Sequence, residues 1–147
     1  MKEIKIIFNK TEIYDEVSLN SAYAGAKNAT GEDIYERVAT VDADRELLSR
    51  FLTEMYGKVS ERLREFIVES EEREDEILVT LEISGAYDDS LTPSVRSDLF
   101  GAMAKGVASM WFRFTSPSRS AEWLAESDSL LSRAYSKLCY RKKPLRK

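Results

Sequence analysis

The spacing of apolar and polar residues changes period along the chain, and each change marks an element. Ile4, Ile6 and Phe8 alternate with polar positions, with Ile7 as an added apolar residue, which predicts a short strand with both faces partly covered. Thr11 offers an N-cap to a helix over about residues 12 to 27, with Ile13, Tyr14 and Val17 inward and the small Ala22, Ala24 and Ala26 later. Asn28, Thr30 and Gly31 then predict a loop over residues 28 to 40, with room for one helical turn around Ile34 and Tyr35.

The second helix has the clearest stripe. Asp42 or Thr40 can cap it, Asp44 and Glu46 favour its positive end, and Leu47, Leu48, Phe51, Leu52, Met55, Tyr56, Val59, Leu63, Phe66 and Ile67 hold one apolar face. Continued over about 25 residues it would run about 38 Å, which predicts the central strut of the domain. The acidic run that follows, Glu69 to Glu76 broken by Ser70 and Arg73, reads as a solvated loop. Ile77, Val79, Leu81 and Ile83 then alternate as a second strand, antiparallel to the first.

Thr92 and Pro93 combine an N-cap with the residue best tolerated at the first helical position. Beyond them Val95, Leu99, Met103, Val107, Met110, Trp111 and Phe114 line one face of a third helix. Gly101, Ala102, Ala104, Gly106, Ala108 and Ser109 make it rich in small residues. Mid-helix glycine costs about 1 kcal/mol against alanine, so another backbone is expected to approach closely there, from this chain or a neighbour. Phe112 points about 100 degrees from Trp111 and reads either as an exposed anchor at a protein interface or as buried under the N-terminal strand. Ser116 and Pro117 repeat the hydroxyl-proline start, and a last helix to about Arg141 turns Trp123, Leu124, Ser127, Leu130, Leu131, Ala134, Tyr135 and Leu138 inward. The prediction is a mainly α fold, a single domain over residues 1–147 of four helices, helical-bundle-like, with a small two-stranded antiparallel β element.

Composition narrows the class. At 147 residues, with 43% hydrophobic and 33% charged positions, 3 Pro and 6 Gly, the chain suits one globular core. No apolar run reaches the roughly 18 residues of a membrane span, and the N-terminus does not read as a signal peptide, so synthesis in the cytoplasm is expected. Histidine is absent, which removes Ser-His-Asp and Cys-His catalysis and His-ligated zinc. The lone Cys139 forms no internal disulfide and reads as a small core or boundary residue. Gly101 and Gly106 have P-loop spacing, but Val107 and Ala108 stand where Lys and Ser/Thr are required. Asp88 and Asp89 fit a turn ahead of a helix better than a catalytic pair. No catalytic residue, metal ligand or cofactor site is assigned.

Charge is distributed unevenly. The net charge is −4, yet Lys137 to Lys147 hold six basic residues and no acid, and Pro144 ends any helix there. This stretch serves either as a solubilising end that complements the helix dipole or as a docking element for phosphates or an acidic surface. The acidic run and the basic stretch could also meet between subunits.

The runs Thr40-Val-Asp-Ala-Asp-Arg-Glu-Leu-Leu-Ser-Arg-Phe, Tyr87-Asp-Asp-Ser-Leu-Thr-Pro-Ser-Val, Trp111-Phe-Arg-Phe and Tyr140-Arg-Lys-Lys-Pro resemble a family of small proteins from structural gene modules of tailed phages and prophages. The order of long helix, short strand region and helical hairpin is similar to the head-tail connector proteins beneath the portal, although those lack a clear N-terminal strand. The resemblance implies a non-enzymatic virion assembly protein, a connector or neck subunit that self-associates into an oligomer or ring and meets portal or tail proteins. Expected partner-binding residues are Phe112, Arg141, Lys142, Lys143, Arg146 and Lys147, with DNA contact through the C-terminal stretch as a further expectation. The alternative is a cytoplasmic nucleic-acid-binding or regulatory helical module using the same stretch. No membrane partner is expected.

Overall fold

Among the described residues, four helices and a three-stranded antiparallel sheet follow in the order β1 (Lys2–Asn9), α1 (Lys10–Lys27), α2 (Arg45–Arg62), β2 (Ile67–Glu72), β3 (Glu76–Ile83), α3 (Thr92–Phe112) and α4 (Pro117–Cys139). The computed structural model describes residues 1–27, 44–113 and 116–141. The expected loop over 28 to 40, the caps Thr40 and Asp42, Phe114, and Lys142, Lys143, Arg146 and Lys147 lie outside the described residues.

β3 is the central strand, in the order β1-β3-β2. The expected antiparallel pairing is present, with Ile6 opposite Val79 and Phe8 opposite Ile77. Ile6, Phe8, Ile77, Val79, Leu81 and Ile83 are buried against the helices, and full burial of such side chains stabilises by about 1.5–3 kcal/mol each. The number of strands corrects the expectation of two. The acidic run is not a loop: Ile67–Glu72 forms an edge strand paired to β3, with a bulge between Ile67 and Glu69. Its inward polar side chains are bonded. Ser70 accepts from the Tyr56 hydroxyl at 2.8 Å, and Glu72 accepts from Thr53 at 2.8 Å and pairs with the buried Lys10 at 3.1 Å. An edge strand carries outward glutamates readily, since charge there blocks further strand pairing.

α2 is correspondingly shorter than expected. The helix ends at Arg62, Leu63 and Phe66 turn the chain, and Ile67 enters the sheet, so the apolar stripe continues through a change of element. Leu48, Leu52, Met55, Val59 and Leu63 are buried, whereas Leu47 is exposed. At the start of α1 the cap is Asn9, whose Oδ1 accepts the Glu12 N–H at 3.2 Å, in place of Thr11. Ile13, Tyr14 and Val17 point inward as expected.

The strut is α3, not α2. It packs on α1, α2 and α4, and its small residues leave it buried on nearly every side, including Ala102, Ala104, Gly106, Ala108 and Ser109 beside Leu99, Met103 and Val107. A helix surrounded on all sides needs no polar face. Its glycines answer the question of close approach: both neighbours belong to this chain and are side chains. A Cβ on Gly106 would collide with Met55 of α2, and one on Gly101 would lie 3.0 Å from Leu130 Cδ1 of α4. The α3–α4 hairpin is closed by hydroxyls that donate to helical carbonyls, Ser127 to Ala102 and Ser120 to Ser109, each at 2.6 Å. Leu124, expected inward, is exposed, and α4 ends at Cys139, which is exposed and not a core residue.

Candidate partner-binding surface

Phe112 is not an exposed anchor. It is fully buried, edge-on to Trp123 with ring centroids 5.1 Å apart, so α4 covers it and the N-terminal strand does not. The hairpin turn brings the two rings together, and no spacing rule on α3 alone reveals a cover supplied by the following helix.

Arg141, the one residue of the predicted contact set that is described besides Phe112, is exposed. Its guanidinium donates to Ser84 Oγ at 3.2 Å, one residue beyond the end of β3. Several bonds fix that corner. Lys137 Nζ donates to Asp98 at 2.6 Å and to Ser94 Oγ at 2.5 Å, tying the end of α4 to the start of α3. Lys2 reaches Asp89 and the Tyr87 carbonyl, each at 3.0 Å. Asp88 accepts the Ser90 N–H at 3.0 Å and opens a 3-10 turn, Asp89–Leu91, that runs into α3. Asp88 thus plays the turn role expected of it, and the Thr92 hydroxyl bonds the buried Tyr87 hydroxyl at 3.1 Å. The contacts of Lys2, Lys137 and Arg141 here join residues about 40 to 90 positions apart in sequence, and no local motif announces those three.

In the Lys137, Asp98 and Ser94 group, Lys137 is ion-paired to the buried Asp98 and donates to Ser94 Oγ. It acts as a clasp. Among the described residues no group of three or more His, Cys, Asp or Glu is placed to hold a metal ion, and no described helix is long and apolar enough to cross a membrane.

Two open surfaces among the described residues bear on partner binding. One is a shallow groove between α2 and α4, lined by Lys58, Arg62, Glu65, Asp128 and Tyr135. There Glu65 accepts a hydrogen bond from Tyr135, which holds the phenol protonated and, with partial burial and the carboxylate charge, pushes its pKa up to about 12. Arg62 lies over the same ring at 5.5 Å, and Phe66 meets it edge-on. The groove alternates in charge, and Glu65, Arg62 and Tyr135 within it are already partnered.

The other is the outer face of the sheet. Glu3, Lys5, Ile7, Glu69, Glu71 and Glu82 are exposed on it, with Ile7 at 47% and the bulge residue Val68 at 52%. Ile7 therefore does not indicate a strand covered on both faces. Glu3 stands directly opposite Glu82, and Glu69 opposite Thr80. Glu71 pairs with Arg73, whose own pKa that bond and charge raise further, whereas Glu3, Glu69 and Glu82 form no ion pair among the described residues. Comparison with protein-family models, curated proteins and solved structures finds no match.

Proposed function

We propose that this chain is a non-enzymatic assembly subunit of a tailed-phage or prophage particle, a head-tail connector or neck subunit made in the cytoplasm and incorporated into the virion. The observation that supports it best is the separation of charge. A strongly basic stretch of sequence follows exposed Arg141, on a helical body whose sheet presents glutamates without an ion pair among the described residues. Such a chain carries two complementary docking elements on one framework, which is what a subunit needs in order to meet neighbours in register. On this reading the contacts to neighbouring subunits and to portal or tail proteins run through Arg141, Lys142, Lys143, Arg146 and Lys147. Phe112, buried in the hairpin, is withdrawn from that set.

The same basic residues suit phosphates, and this favours a second reading, a cytoplasmic nucleic-acid-binding or regulatory module. Native mass by light scattering over a concentration series, with and without duplex DNA at low salt, separates the two. The assembly reading expects a closed oligomer that forms as concentration rises. A monomer that binds DNA with an affinity falling steeply with salt supports the second reading and overturns the first.

A further inference from the structure

We infer that the outer face of the sheet is the docking surface for residues 142–147 of a second copy of this chain, an inference that rests on the assembly reading above. The face carries more acid than it neutralises. Glu3 and Glu82 are directly opposed across β1 and β3, an arrangement that repels in an isolated chain, and Glu69 sits one strand further on, with Lys5 the nearby cation on this face. None of these three glutamates has an ion-pair partner among the described residues. Ile7, Leu78 and Val68 add apolar area to the same face, and the outer edge of β2 is unpaired.

Residues 142–147 match these features in kind. Lys142, Lys143, Arg146 and Lys147 supply cations, and Leu145 supplies one apolar side chain to meet Ile7 and Leu78. The lengths agree as well. Six extended residues span about 20 Å, while Glu82 to Leu78 along β3 is about 14 Å at 3.4 Å per residue, so one stretch reaches from the Glu3–Glu82 pair to Glu71. Arg141, the residue that precedes the stretch, bonds Ser84 at the end of β3, and the receiving face lies on the broad side of the sheet. Donor and receiver are thus distinct segments of one chain. Copies that mate this way do so head to tail, the arrangement that closes into a ring when the rotation between subunits permits. Opposite charge sets register and speeds encounter.

A charge exchange tests this. Native mass is measured by light scattering against concentration at low salt for the wild-type chain, for Glu3→Lys/Glu69→Lys/Glu82→Lys, and for that triple variant carrying Lys142→Glu/Lys143→Glu/Arg146→Glu as well. The expected result is an oligomer whose dissociation midpoint rises at least tenfold on reversal of the face and returns towards wild type in the sixfold variant, with unchanged far-ultraviolet circular dichroism throughout. A wild-type oligomer indifferent to reversal of the face places the contact elsewhere, overturning this inference and leaving the assembly reading standing. A monomer whose melting temperature falls on reversal and recovers on exchange places the stretch on its own sheet and overturns the intermolecular contact. A chain that stays monomeric at every concentration, with no melting response to either change, overturns the contact and counts against self-assembly too.

Discussion

Helix α3 and the outer face of the sheet are opposite solutions to the same chain's packing problem. α3 is lined with glycine, alanine and serine, and because those side chains are short, three other helices close around it. The outer face has larger apolar residues, Ile7 and Val68, yet leaves them at 47% and 52% exposure among glutamates. Burial here is decided by what can approach, not by the hydrophobicity of the residue itself. The helix with small residues becomes the hub, and the sheet face with charged ones stays exposed.

The largest expected effect lies in the hub. Leu99 is fully buried, and Leu99→Ala is expected to cost about 2–5 kcal/mol in urea denaturation, while Ile7→Ala on the outer face changes stability by less than about 1 kcal/mol. Comparable losses at the two positions would abolish the distinction. Next comes Gly106→Ala, where the new methyl collides with Cγ, Sδ and Cε of Met55. Overpacking there is expected to cost about 1–3 kcal/mol. Gly101→Ala meets only the tip of Leu130, and its gain in helix propensity of about 1 kcal/mol offsets that contact. If the two glycine variants melt together, close packing at Gly106 is not what holds α2 to the hub.

On the open face the sign reverses. Glu82→Lys places a cation opposite Glu3 and is expected to stabilise the isolated chain by about 0.2–1 kcal/mol, an increment that shrinks with added salt. A loss of stability on this substitution would mean that Glu82 already has a favourable partner. The smallest expected signal is the Tyr135 titration. Its phenol, raised from 10.0 to about 12 by Glu65, keeps its proton longer in the folded chain than in the unfolded one. This group's contribution is therefore complete below pH 10 and lost as pH rises from about 10 towards 12. Absorbance at 295 nm should show one late tyrosine that titrates earlier in Glu65→Gln.

Much of the fold was legible in the sequence, and the exceptions share a cause. Alternation located β1 and β3 and their pairing, and hydroxyl-proline pairs located the starts of α3 and α4. β2 was missed because an edge strand open on one face needs few apolar residues, and its inward Ser70 and Glu72 are satisfied by Tyr56 and by Thr53 and Lys10, partners distant in sequence. For the same reason α2 was read as too long, since Phe66 and Ile67 keep the apolar stripe after the helix has ended. α3 was read as amphipathic because its large residues do follow a stripe; its role as hub depends on the small residues between them and on which helices arrive. At the candidate surface, the basic stretch and the acidic run were visible as composition. Their placement at the end of β3 and across its outer face depends on strand register, which composition does not contain.

The comparison between hub and open face is tested most directly by amide hydrogen exchange, measured on one preparation at high dilution and again at the highest attainable concentration. The account predicts that α3 amides exchange slowest at both concentrations, and that β2 and the outer positions of β1 exchange rapidly when dilute and become protected when concentrated. Equal protection of β2 at both concentrations, with α3 exchanging as fast as the sheet edge, would contradict it.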